Sequence, residues 1–244
     1  MKLSTKILAA VLLLLIAGLF VCNLVLKAAF EKADKSNLYW NYTSVLETPF
    51  HHIHIKGGNI TQVSFEPGPH YSVRVLENWA GYKEGRMKAF VRQDTLFLDL
   101  PLVAKDIQEK NWLKWVSLVR IFAPAVQSAE GLNTNFNMSK MKQESLAVAM
   151  GGNSSFDYES LVTVFDAVRV RQSDSTNVGF HTSADAKMPA AFSIRSLDAI
   201  VAGESFLYVG HATVDSLRLE VSNRSGVFFS GNTLKKNHFN TIEK

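Results

Sequence analysis

Glu144-Ser-Leu-Ala-Val148, Asp166-Ala-Val-Arg-Val170, Asp198-Ala-Ile-Val-Ala202 and Asp215-Ser-Leu-Arg-Leu219 say nearly the same thing. Each opens on an acidic residue, continues with Ala or Ser, and then sets apolar residues two apart. A period of two is that of a strand with one buried face. One strand type used repeatedly marks a stacked β-repeat, in which each unit is too small to bury its own apolar stripe. The acidic leads Glu144, Asp166, Asp198 and Asp215 lie 22, 32 and 17 residues apart, so the period is loose, and the wide gap holds a further strand at Ala191–Arg195. Each repeat passes into a turn, at 151–155, 172–177, 203–205 and 222–226, where Gly, Asn and Ser suit positive φ. Short apolar pieces then begin at Phe156, Val178, Phe206 and Val227. The expected fold is all-β, a β-solenoid or β-helix-like stack of repeats behind an N-terminal transmembrane helix. An antiparallel β-sandwich is the alternative. The four acids are expected at the corners of the repeat, capping backbone N–H groups.

The N-terminal half alternates too. His52–Lys56, Ile60–Phe65 and the Tyr71, Val73, Val75 series read as strands, with turns at Gly57-Gly58 and Pro67-Gly68-Pro69. Ala89–Arg92 and Leu96–Leu100 read as a hairpin around Gln93-Asp94-Thr95. Residues 77–87 read as a loop, and Asp106–Trp115 as a short helix or a long loop, before Val116–Phe122 returns to strand.

Ile7–Leu26 is 20 residues without a charge, long enough to cross a hydrocarbon core of about 30 Å. Lys2 and Lys6 precede it, and a mixed set of Lys27, Glu31, Lys32, Asp34 and Lys35 follows. The positive-inside rule then leaves the N-terminus cytoplasmic and the bulk of the chain outside. A retained anchor is the reading preferred over a cleaved signal peptide, which wants small residues at its cleavage site, and over lipidation at Cys22, where Val21 fits poorly. The expected organisation is a cytoplasmic tail (1–6), a transmembrane anchor (7–26), a juxtamembrane linker (27–48), an extracytoplasmic β-rich domain (49–232) and a C-terminal tail (233–244).

The formal charge of +4 is misleading. With Lys2 and Lys6 set aside, 24 basic residues face 22 acidic ones, and no basic cluster sits among aromatics as in a nucleic-acid surface. Cys22 is the single cysteine, which excludes an intrachain disulfide framework and cysteine-based zinc sites.

The stretches Phe50-His-His-Ile-His-Ile-Lys-Gly-Gly-Asn-Ile60, Val119-Arg-Ile-Phe-Ala-Pro124 and Ser145-Leu-Ala-Val-Ala-Met-Gly-Gly-Asn-Ser-Ser155, with the later repeats, resemble the bacterial auto-transporter adhesin head GIN domain family, a domain of unknown function. The likeness runs over roughly residues 50–232 and is clear from about 116 onward; segment 77–115 departs from it. It implies a leader or membrane segment followed by β-rich repeats, on a bacterial membrane with the bulk of the chain in the periplasm or at the cell surface. It brings an adhesin role as an expectation and no catalytic residues.

Chemistry-bearing motifs are sparse. His52 and His54 fall on one strand face, where two imidazoles can begin a metal site, but a third ligand is not in evidence and a polar solvent face is preferred. Carboxylates at Asp166, Asp198 and Asp215 could do acid–base work or bind calcium if they met in a groove, but similar places in a repeat point to a structural role. There is no Gly-x-Ser-x-Gly elbow and no His-Glu-x-x-His, and Gly151-Gly152 opens no helix. Sequons occur at Asn41 and Asn153, and Asp94-Thr-Leu96 and Asp215-Ser-Leu217 resemble an O-glycosylation acceptor pattern. Trp79, Tyr82, Trp112 and Trp115 lie in the two irregular segments and are the candidate contact aromatics; the competing reading makes them a cover for the end of the core. No catalytic, cofactor-binding or metal-binding residue is assigned. The expectation is a non-enzymatic, membrane-anchored protein serving adhesion, envelope scaffolding or partner binding. Its partners are the membrane through 7–26 and an envelope protein or glycan, with no nucleic acid. The alternative is a β-helix protein that binds or cleaves polysaccharide.

Overall fold

The alternating segments form strands in the computed structural model, which describes residues 3–32, 37–101, 104–160, 164–182, 193–210 and 212–229. The chain divides into two units, Met1–Tyr42 and Thr43–Lys244. The first is dominated by helix α1, Leu3–Lys32. Its span Lys6–Glu31 contains an 18-residue stretch of mean hydropathy 2.8 in which no residue is buried. At about 1.5 Å rise per residue that span exceeds a hydrocarbon core. It fits a single-pass anchor or a signal sequence.

Strand β1 (Tyr42–Leu46) opens at the boundary, and the second unit goes on with β2 (His52–Gly57), β3 (Gln62–Pro67), β4 (Ser72–Leu76), helix α2 (Ala80–Lys83), β5 (Lys88–Arg92), β6 (Thr95–Leu100), helix α3 (Ile107–Leu113) and β7 (Ser117–Ala123). It continues as β8 (Ser128–Leu132), β9 (Asn135–Met141), β10 (Ser145–Gly151), β11 (Asn153–Ser160), β12 (Val164–Gln172), β13 (Ser175–Thr182), β14 (Ser193–Val201), β15 (Phe206–Gly210), β16 (Thr213–Val221) and β17 (Gly226–Phe229). Two large mixed sheets result, ordered β1-β4-β7-β3-β9-β11-β13-β15-β17 and β16-β14-β12-β10-β8-β2-β6-β5. This two-sheet layout fits the sandwich-like alternative, but its pairing is largely parallel. From β8 onward each strand pairs in parallel with the strand two along, so successive strands alternate between sheets. Antiparallel pairing occurs where β4 meets β7 and β5 meets β6.

Inward residues of the two sheets form the core. Phe136 and Phe156 are level on β9 and β11, and Phe180 on β13 lies two residues further along, level with Tyr158; the ring centroids of Phe136–Phe156 and Phe156–Phe180 are 5.7 and 6.4 Å apart. Tyr158 crosses to Phe165 of the other sheet at 5.1 Å. The bends between sheets repeat one device: Asn133, Gly152, Asp174 and Gly203 all have positive φ. Neighbouring bends bond to each other. The Gly152 N–H donates to Asp174 Oδ2 at 2.9 Å, and the Asn153 N–H donates to Asn133 Oδ1 at 2.9 Å. Gly203 packs against backbone: a Cβ there would lie 2.3 Å from the Asp174 carbonyl oxygen.

The strand expected at Ala191–Arg195 is not separate. From Ser193, where description resumes, it is continuous with the Asp198 segment as β14. The reason is a phase shift. Ile194 and Leu197 are both buried while Arg195 and Ser196 between them are exposed, which breaks strict alternation without ending the strand. Asp215-Ser216 in β16 makes the same step between buried Val214 and half-buried Leu217, and Asp166-Ala167 in β12 lies between buried Phe165 and Val168.

Candidate functional site

The irregular segments of the N-terminal half become two short helices whose side chains interlock. Asp106 caps α3, accepting from the Glu109 N–H at 2.8 Å, while Glu109 reaches back to the Lys105 N–H at 2.5 Å. This local pattern selects a helix over a long loop for 106–115. The Arg86 guanidinium beyond α2 donates to Glu109 at 2.7 Å and lies 3.3 Å from Glu84, which also takes the Lys105 ammonium at 2.6 Å. Its carbon centre sits 5.3 Å from the Trp79 ring centroid, within cation–π range. The Lys105 hydrogen bond holds the Glu84 carboxyl below its ordinary range, and Arg86 does the same for Glu109. Glu109 in turn raises Arg86.

These contacts frame a cleft of about 380 Å³, lined by Asn78, Trp79, Arg86, Lys105, Asp106, Gln108, Glu109 and Trp112. The structure thus brings Trp79 and Trp112 into one cleft. Trp79 is 2% exposed and forms a wall, with its indole N–H buried and without a partner; Trp112 is 39% exposed. Tyr82 follows on α2, its N–H donating to the Trp79 carbonyl at 3.3 Å, and is 37% exposed. Trp115 is 89% exposed and is not among the lining residues. Sequence reasoning missed Asn78, Arg86, Lys105, Asp106, Gln108 and Glu109. The Asp-x-x-Glu spacing of Asp106 and Glu109 was the available signal; the pairing of Arg86 with Glu109 had none.

The repeat acids do not meet in a groove. Glu144 precedes β10, and its carbonyl accepts from the Asp166 N–H at 2.7 Å. Between the register pairs Ile194–Val214 and Ser196–Ser216, Arg195 falls level with Asp215, and it also pairs with Asp166. Asp198 lies elsewhere, in register with Arg169 and Arg218, and pairs with Arg171 at 3.0 Å. Letters alone align Asp198 with the other acids; the register puts Arg195 in that place.

His52 turns to Ser128 at 2.8 Å and His54 to Glu130 at 3.1 Å. Among the described residues no group of three or more His, Cys, Asp or Glu side chains could hold a metal ion. A second depression, about 260 Å³, lies over β8, β10 and β12 between His54, Glu130 and Arg171. Asp94-Thr-Leu96 sits at the β5–β6 turn, where Asp94 pairs with His51 at 2.9 Å.

No family model matches the chain, and no curated protein matches it. Solved structures show low likeness. A "putative adhesin" from Bacteroides fragilis NCTC 9343 is 11% identical, with a TM-score of 0.39 over 76% of this chain and 94% of that one. A "putative lipid binding protein" from Parabacteroides distasonis ATCC 8503 is 11% identical, with a TM-score of 0.31 over 76% and 92%. A "putative adhesin" from Parabacteroides merdae ATCC 43184 is 10% identical, with a TM-score of 0.28 over 76% and 94%. At these TM-scores neither fold nor function transfers.

Proposed function

We propose that this chain is a non-enzymatic, single-pass membrane protein whose β-rich domain stands outside the cytoplasm as a binding surface, serving adhesion, envelope scaffolding or partner contact. The carrying observation is the uncharged apolar stretch Ile7–Leu26 within α1, preceded by Lys2 and Lys6 and with its large apolar side chains exposed. The proposed boundaries are 1–6, 7–26, 27–48, 49–232 and 233–244, as the composition divides them. We read the paired sheets as coils of a stacked repeat. Parallel pairing of alternate strands, with a bend device recurring at Asn133, Gly152, Asp174 and Gly203, supports that reading. The resemblance to GIN-type domains belongs to the same proposal. Asp106 and Glu109 in the cleft are engaged in capping and ion pairing, which favours binding over cleavage.

Topology is tested by cysteine labelling. Cys22 is replaced by Ser and a cysteine placed at exposed Trp115 or Leu132. Intact cells, if needed with a permeabilised outer membrane, should label with a membrane-impermeant maleimide, and the protein should stay in the membrane through carbonate washing. Labelling that requires lysis of the inner membrane would overturn the topology. Release into the wash would overturn the anchor.

A further inference from the structure

We propose that the cleft between α2 and α3 binds a neutral, hydroxyl-rich ring, the pyranose of a glycan, with Trp112 as the stacking face and the amides of Asn78 and Gln108 as hydrogen-bonding groups. The proposal rests on the binding-surface reading above and names its ligand class.

Size and composition come first. A volume of about 380 Å³ falls at the lower end of small-molecule sites, roughly 300–1,000 Å³. The apolar members of the lining are the two tryptophans; the rest are amides and charged groups. An acyl chain wants a continuous aliphatic wall, which this lining does not provide. A sugar ring wants one apolar face against an aromatic and polar groups around its rim, and that is what is present.

Charge decides the next point. Arg86 is shared by Glu109 and Glu84, and Lys105 is held by Glu84. Both cations are already neutralised by carboxylates, so an acidic sugar gains less from them than from a free cation. Glu84 and Glu109 are likewise taken by Arg86 and Lys105, and Asp106 is engaged in capping α3, so a cationic ligand competes with existing contacts. Asn78 and Gln108 carry both donor and acceptor functions without charge, matching hydroxyl groups.

Rigidity is the third. Trp79 is fixed between Arg86 and the α2 backbone, where a Cβ on Gly81 would lie 2.5 Å from the indole ring. The wall is therefore set before a ligand arrives, while the partly exposed Trp112 remains accessible. Preformed walls lower the ordering cost of binding.

The test uses the full chain in lipid nanodiscs, free of maltoside detergent that would compete as a sugar. Calorimetric titrations use neutral chitohexaose, mannohexaose and cellohexaose, with oligogalacturonate as the acidic probe. Saturable binding of at least one neutral probe is expected, weakened roughly tenfold or more in Trp112→Ala and also weakened in Asn78→Ala. Trp115→Ala, outside the cleft, should bind as the parent does. Near-UV circular dichroism and the melting temperature establish that Trp112→Ala is folded; if it is not, Gln108→Ala carries the test in its place. Absence of neutral-probe binding at millimolar concentration, full affinity in the cleft variants, or tighter binding of the acidic probe would each overturn the proposal. Surface labelling succeeds or fails independently, so a wrong ligand class and a wrong topology give different results.

Discussion

Truncating Phe156 to Ala tests which face of β11 is buried. Phe156 is fully buried between Phe136 at 5.7 Å and Phe180 at 6.4 Å. Removing a buried Phe ring costs about 3–5 kcal/mol through lost transfer energy and the cavity left behind. Within that total, each aromatic pair accounts for about 0.5–1.5 kcal/mol. For a domain of this size a melting temperature moves about 2–4 °C per kcal/mol, so the expected fall is roughly 6–20 °C. The next residue, Asp157, points outward to a half-exposed His181 at 3.4 Å. Its replacement by Ala removes a solvent-screened pair worth about 1 kcal/mol at most. Calorimetry of both variants, in the same nanodiscs, gives the comparison. A one-residue slip would exchange the faces and reverse the order of the two effects. Equal or reversed losses would refute the register.

Tyr158→Phe should raise the melting temperature. The Tyr158 hydroxyl is buried without a partner, its desolvation costs about 1–3 kcal/mol, and burial pushes its pKa up; a fall on calorimetry would contradict this. Gly203→Val should destabilise the domain by more than about 2 kcal/mol in urea titration, because a positive-φ residue gains a Cβ against the Asp174 carbonyl. An unchanged midpoint would place the bend elsewhere. Asp198 is held below its ordinary pKa by the Arg171 hydrogen bond, so its stabilisation is present above the unfolded value near about 3.9 and lost as pH falls through the folded value. Asp198→Asn should therefore melt below the parent at neutral pH, with the gap closing in acid; a gap constant with pH would show that Arg171 does not act on it.

Particular residues show how much was legible in advance. Strands were legible wherever apolar residues alternate, as in His52–Lys56 and Ser145–Met150. The bends were legible at Gly152, Asp174 and Gly203, each inside a turn rich in Gly, Ser or Asn, and not at Asn133, whose positive φ is set by the bend itself. Parallel and antiparallel stacking give one strand the same alternation, so the sheet layout could not be chosen from pattern alone. The Arg195-Ser196 step hid a continuous strand and drew Asp198 into alignment with acids it does not neighbour. The two tryptophans of the cleft were picked out as aromatics in irregular segments. Their meeting depends on Arg86 and Glu109, a contact between residues 23 apart that carries no local signature.

Cross-linking across β11 and β13 tests the stacked parallel arrangement most directly. Ser155 is in register with Asn177, and His181 lies four residues further along, opposite Glu159. Adjacent strands lie about 4.8 Å apart, within disulfide reach, whereas four residues along a strand add roughly 13 Å. In a Cys22→Ser background, Ser155→Cys with Asn177→Cys should oxidise rapidly to an intrachain disulfide, and Ser155→Cys with His181→Cys should stay reduced. The opposite result would mean that β11 and β13 run antiparallel, and the stacked account would fall.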